Sequence, residues 1–191
     1  MDDIFKGIKK IISSNGYLII ETFSLYGLLK NNLIDNIYHE HLSYFTIKSL
    51  SQFAKNYGFY LKEIKFLSVK GGSLRYIFQY KKINNNEKII RAIRKEEKYT
   101  NKISEEFQKL KFINKVNEIK LNKFLDKQIK MNKVIGGFGA SVGTTTMIFN
   151  YSVQNKLNFL FDNEKRRFNL YCPGTKIKVL NPNHIKSKKL I

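Results

Sequence analysis

The chain has 191 residues, 42% of them hydrophobic and 14% aromatic, enough to bury a core and too many for a disordered chain. A single cysteine, Cys172, excludes an internal disulfide and an all-cysteine zinc site, and fits a reducing, cytoplasmic setting. The net charge of +20 raises nucleic-acid binding, but the lysines run from Lys6 to Lys189 among Asn and Ile residues. That mixture reads as surface drift towards AT-rich codons, so nucleic acid is not the expected partner, although a polyanionic ligand such as a nucleotide stays compatible. No apolar run approaches the ~18 residues of a membrane span, and "MDDIFKGIKKII" opens with two acids, unlike a signal peptide.

Residues 4–12 place Ile4, Ile8, Ile11 and Ile12 on one helical face, and "SSNG" at 13–16 predicts a stop with Gly16 left-handed. "YLIIETFS" at 17–24 reads as a buried strand. A helix, a tight stop and a buried strand form the middle of an α/β pattern, so further elements are expected upstream of Met1. "TIKSLSQFAKNYGF" at 46–59 predicts an amphipathic helix with Thr46 as N-cap, Leu50, Phe53, Ala54 and Tyr57 inward, and Gly58 as terminator. "YLKEIKFLSV" at 60–69 and "LRYIFQYKK" at 74–82 alternate around "KGGS" and predict an antiparallel hairpin. "INNNEK" at 83–88 is a polar boundary.

From 87 to 130 the pattern is helical, without proline or glycine, with Ile89, Ile93, Ile103, Phe107, Leu110, Val116, Phe124 and Ile129 as inward positions. Two consecutive helices or one long connector fit it. "KVIGGFGAS" at 133–141 then predicts a strand running into a glycine turn, "VGTTTMIFNYS" a helix, "LNFLFDN" at 157–163 a second strand and "CPGTKIKVL" at 172–180 a third. The tail "NPNHIKSKKLI" stops where a further helix is expected.

The glycine turn with Asp162 about 20 residues on has the outline of a dinucleotide fold. Gly137, Gly139 and Gly143 give G-x-G-x-x-x-G, one residue too long. A nucleotide-binding unit and a similar unit that binds none both remain open.

"NIYHEHLSYF" at 36–45 holds two of the three histidines. The zinc motif His-Glu-x-x-His fails because position 43 is Ser, and no metal is expected. In a helical turn Tyr38 and His41 share one face, with Glu40 able to orient or charge-pair an imidazole. Histidine titrates near neutrality and suits a group that takes and returns a proton. A helix start with incidental polar residues remains the alternative.

"YHEHLSYFTIKSL", "GGSLR" at 71–75, "GFGASVGTTT" at 137–146 and "PGTKIKV" at 173–179 occur in the order found in S-adenosylmethionine-dependent sugar C-methyltransferases. The chain resembles the part of those enzymes that follows the donor-binding loop. The resemblance implies an α/β fold in three parts. Residues 1–86 would be a partial Rossmann-type methyltransferase domain, 87–131 a helical connector, and 132–191 a truncated Rossmann-like C-terminal domain. It implies methyl transfer from S-adenosylmethionine to the enolate of a nucleotide-linked 4-keto-6-deoxysugar, with His41 as base and Glu40 and Tyr38 assisting. Gly139, Ser141 and Gly143 would hold the nucleotide-linked deoxysugar. The donor-binding glycine loop and the cysteine-rich zinc module of the family have no counterpart here, and Lys70 stands where relatives often carry histidine. The resemblance therefore implies a fragment, inactive alone, whose missing half a separate chain could supply. A non-catalytic nucleotide-sugar binding module is the first alternative, and a basic nucleic-acid-binding protein the second.

Overall fold

The computed structural model describes residues 1–84 and 86–186. Asn85, inside the polar boundary at 83–88, and residues 187–191, the end of the tail, lie outside the described residues. The chain is a mixed α/β protein of two compact units. One comprises Met1–Leu33 and Leu42–Gln108, the other Ile34–His41 and Lys109–Ile191.

The first unit contains α1 (Asp2–Ile11), β1 (Tyr17–Phe23), α2 (Leu25–Asn31), α3 (Ile47–Lys55), β2 (Tyr60–Leu67), β3 (Ser73–Gln79) and α4 (Glu87–Thr100). Its sheet has the order β1-β3-β2 and is antiparallel throughout. The expected hairpin is present, with Leu67 opposite Ser73 and Tyr60 opposite Gln79. β3 lies in the centre and alternates strictly: Leu74, Tyr76 and Phe78 are wholly buried, whereas Arg75, Ile77 and Gln79 are half-buried. Phe5 from α1, Leu50 and Ala54 from α3, and Ile89 from α4 close over that face. Each such side chain removed from water contributes roughly 1.5–3 kcal/mol, so this face holds the unit together.

α3 forms as its sequence predicts. The Thr46 hydroxyl accepts from Ser49 N–H at 3.0 Å, and the Ser49 hydroxyl accepts from Thr46 N–H at 3.0 Å, a reciprocal cap. Gly58 ends the segment with φ +86°, a conformation that strains any residue with a Cβ.

The N-terminal segment departs from expectation. Phe5, Ile8 and Ile12 carry the inward face of α1, and Ile4 and Ile11 are exposed. The helix ends on an extended Ile12, and Gly16 does not take a positive φ. A Cβ at Gly16 would instead collide with the Ile12 side chain, so space rather than handedness favours glycine there. β1 is an edge strand with one buried face, and Tyr17 and Ile19 point to solvent. Its apolar run satisfies a single face because only β3 pairs with it among the described residues.

The second unit contains most of α5 (Ile103–Lys130), then β4 (Gly136–Phe138), α6 (Val142–Asn150), β5 (Phe159–Phe161) and β6 (Lys178–Leu180). The three strands are parallel in the order β4-β5-β6, and α6 forms the crossover between the first two. The strands are shorter than their sequence runs; the third begins only at Lys178, after a turn through Gly174 at φ +71°. Leu125, Ile148, Val153, Leu160, Cys172, Ile177 and Val179 form the core.

Two helices, α4 and α5, fill 87–130. Ile89 and Leu110 are buried as expected, but Ile103, Phe107, Phe124 and Ile129 are exposed. Leu110, Asn114 and Leu125 face inward instead. α5 carries apolar residues around much of its circumference, so periodicity does not single out one face. Two polar bonds select it: Tyr151 Oη donates to Asn114 Oδ1 at 3.1 Å, and Asn122 Nδ2 donates to the Tyr151 carbonyl at 2.7 Å.

Candidate functional site

Residues 34–41 run from a 3-10 turn, Ile34–Asn36, into a tight turn closed by His41 N–H donating to the Tyr38 carbonyl at 3.0 Å. This turn brings Tyr38 and His41 face to face, with ring centroids 4.0 Å apart and planes inclined by 35°. Both rings are half-buried, and His39 and Glu40 are exposed. His41 Nδ1 lies 2.7 Å from the carbonyl oxygen of Asn36, itself buried. A carbonyl only accepts, so Nδ1 carries the hydrogen and the basic lone pair sits on Nε2. The imidazole is thus tethered at Nδ1, fixed in tautomer and backed by a phenol ring. This geometry is one in which a histidine can accept a proton.

The glycine turn lies in the same unit. Gly139 takes φ +95° and donates its N–H to the Phe161 carbonyl, joining the turn to the end of β5. Ser141 caps α6, its hydroxyl accepting from Thr144 N–H at 3.3 Å. Gly143 meets the 3-10 turn directly, because a Cβ there would come within 3.2 Å of the Asp35 carbonyl oxygen. The segment that carries Tyr38 and His41 therefore packs on the first turn of α6, and Gly143 is the residue that permits the approach. The close approach accounts for glycine at that position.

Asp162 does not stand as a free acid at the strand end. It accepts from Ala140 N–H at 2.7 Å, Glu164 N–H at 2.8 Å and Arg167 Nη1 at 2.8 Å. Burial opposes its charge, and these three donors outweigh the burial and hold its carboxyl below the usual range. The acid that would greet a ribose in a dinucleotide fold instead pins the glycine turn shut. In the first unit, Ser24 caps α2 directly after β1, with no glycine turn at that strand end. The residues present do not fit S-adenosylmethionine at either strand end. Among the described residues no group of three or more His, Cys, Asp or Glu could hold a metal ion, and no helix is long and apolar enough to cross a membrane.

Sequence reasoning passed over three groups: Asn36, whose carbonyl fixes the His41 tautomer, Asp35, whose carbonyl explains Gly143, and Glu96, a buried acid of the first unit that accepts from Ile47 N–H at 2.5 Å. The first two act through backbone atoms, which residue type does not encode. Glu96 was accessible in principle, because it follows Ile89 and Ile93 at the helical spacing of an inward face.

Residues 68–190 match the family described as the C-methyltransferase C-terminal domain. A curated relative, C-methyltransferase NovU of Streptomyces niveus, is 33% identical over 72 residues, which is 38% of this chain and 17% of that protein. The matched stretch thus spans about a sixth of that relative's length. The family match takes in β3, both long helices and the whole parallel sheet, including the Gly139–Gly143 turn. With the glycine turn, the parallel strands and the sequence match all coinciding, this chain belongs to the C-methyltransferase family as a C-terminal part.

Proposed function

We propose that the chain is the substrate-handling part of a sugar C-methyltransferase, and that Tyr38 and His41 form the enolate of a nucleotide-linked keto-deoxysugar. The observation that carries this reading is the His41 imidazole, tethered at Nδ1 by the Asn36 carbonyl and stacked on Tyr38. Nε2 takes the proton from the carbon beside the sugar ketone. The C–H electron pair becomes the new C=C bond, and the carbonyl π pair moves onto oxygen as the enolate. Tyr38 Oη is a phenol able to donate to that oxygen, and exposed Glu40 exchanges the imidazolium proton with solvent. The enolate carbon is then the nucleophile for a methyl donor. General-base catalysis of this kind is worth about 10²–10⁴-fold.

The Gly139–Ser141 turn holds the nucleotide portion in this reading, its backbone N–H groups and the start of α6 favouring phosphate. The donor, S-adenosylmethionine, belongs to a Rossmann-type region that these residues do not supply, so methyl transfer needs a separate chain or segment. Residues 1–86 are the remainder of that region, 87–131 connect it, and 132–191 form a Rossmann-like partner. The setting is cytoplasmic.

The test separates enolate formation from methyl transfer. The chain is incubated in D2O with a deoxythymidine-diphospho-4-keto-6-deoxysugar and no methyl donor, and deuterium beside the ketone is read by NMR. Wild type should exchange that position, and His41→Ala should lose about 100-fold or more of the rate. Binding that is equal in both chains, with exchange in neither, would replace this reading with that of a non-catalytic nucleotide-sugar binding module.

A further inference from the structure

We propose that Glu96 is a positioning residue that clamps the starts of α2 and α3, the two helices that flank the loop carrying Tyr38 and His41. The loop leaves the first unit after α2 and returns to it at α3. At its return, Ile47 N–H, an orphan donor of the first turn of α3, is met by Glu96 Oε2 at 2.5 Å. At the start of α2, one helix before the loop departs, the capping Ser24 hydroxyl donates to Glu96 Oε1 at 3.5 Å while also accepting from Gly27 N–H at 3.2 Å. The segments that enter the two helices are also joined directly: Leu25 N–H donates to the Phe45 carbonyl at 3.1 Å, and Ser24 and Phe45 form a parallel bridge. One side chain from α4 thus spans the starts of two helices that are remote from it in sequence.

A carboxylate is a costly choice for this place. Glu96 is only 3% exposed, and burial pushes its carboxyl up to about 7. A leucine would fill the volume without that cost but would leave Ile47 N–H unsatisfied. The groups that face Glu96 are Ser24 at the start of α2, the fully buried Tyr76 of β3 and the neighbouring Glu97, which is paired to Lys48 of α3 at 2.8 Å. No cation neutralises Glu96 among the described residues, so the backbone N–H is its principal partner. The bearing of this clamp on catalysis rests on the role proposed for the loop; the clamp itself does not.

Amide hydrogen exchange on the full chain tests it without substrate or methyl donor. In Glu96→Ala, exchange at Leu25 and Ile47 should rise at least tenfold, while Ile64, Tyr76 and Phe78 in the sheet stay within about twofold. Glu96→Gln, which keeps an acceptor oxygen, should restore most of the protection. In wild type, protection at Leu25 and Ile47 should fall several-fold as pH rises from 5 to 7, because charging a buried carboxyl favours opening. Glu96→Gln should be flat over that range, and this comparison decides the matter if Glu96→Ala does not fold. A uniform rise across the first unit, no rise at all, or the same pH slope in Glu96→Gln would overturn the proposal. None of these readouts depends on whether the chain forms an enolate, so the two ideas fail separately.

Discussion

Glu96 in the first unit and Asp162 in the second are buried to nearly the same depth, 3% and 7% exposed, yet they lie on opposite sides of ordinary carboxylate behaviour. Burial lifts Glu96 to about 7 against one short backbone N–H and one long hydroxyl contact. Asp162 meets a burial penalty as well, but two backbone N–H groups and the Arg167 guanidinium overcome it. The charge state of a buried acid follows from its desolvation together with the number and charge of its donors. The two acids consequently do different work. Asp162 is a fixed anion that shapes a turn, and Glu96 is an acid that changes protonation close to neutrality.

Removing Asp162 should have the largest effect. Asp162→Ala strands the Ala140 and Glu164 N–H groups and is expected to cost about 2–3 kcal/mol, read as a loss of protection at Gly139 and Ala140 in amide exchange. Its carboxyl is depressed below its ordinary 3.8, so its contribution is complete above that value and is lost as pH falls through the lower folded value. Acidification below about pH 4 should therefore loosen the glycine turn in wild type.

Glu96→Gln should act with the opposite sign. Because the folded carboxyl is raised from 4.5 to about 7, the protonated form is favoured and wild-type stability falls as pH climbs through that window. A displacement of that size is worth at most about 3 kcal/mol, and solvent screening reduces it to about 1–2 kcal/mol. The glutamine variant should gain that much on wild type between pH 4.5 and pH 7.5, measured as the pH dependence of the difference in Tm. A constant difference across that range would remove the contrast between the two acids.

The smallest effect belongs to Gly143→Ala, which presses a methyl group against the Asp35 carbonyl 3.2 Å away. The expected cost is about 1 kcal/mol, with altered NMR shifts at Tyr38 and His41 as the 3-10 turn yields. Unchanged shifts would show that the turn is held by contacts other than this one.

The legible parts of the fold were those where local chemistry and tertiary packing agree. α3 carries its own cap at Thr46 and Ser49 and a single apolar stripe, and the β2–β3 hairpin carries its turn glycines and its alternation. The β4–α6–β5 crossover was visible for the same reason, through its glycine turn and the helical run that follows. α1 misled because isoleucine at 4 and 11 fits a helical face, but Phe5 reaches the core first and rotates the helix. α5 misled because its apolar residues outnumber what one face can bury, so the inward side was set by Asn114 and Asn122, which hydropathy scores as surface. At the candidate site, Tyr38 and His41 were paired by spacing alone. The carbonyls of Asp35 and Asn36 that place them come from chain path, which no residue letter records.

The order β1-β3-β2 also fixes a sequence of events in time. β3 adjoins β2 through a short turn, whereas Phe23 of β1 must find Ser73 across the whole of α2, the YHEH loop and α3. Closing that longer span costs more chain entropy and is rewarded only after β3 is in place. During synthesis β1 therefore waits, with Tyr17 and Ile19 already made, until its central neighbour emerges. Of the two pairings in this sheet, the hairpin closes the shorter loop and β1 the longer.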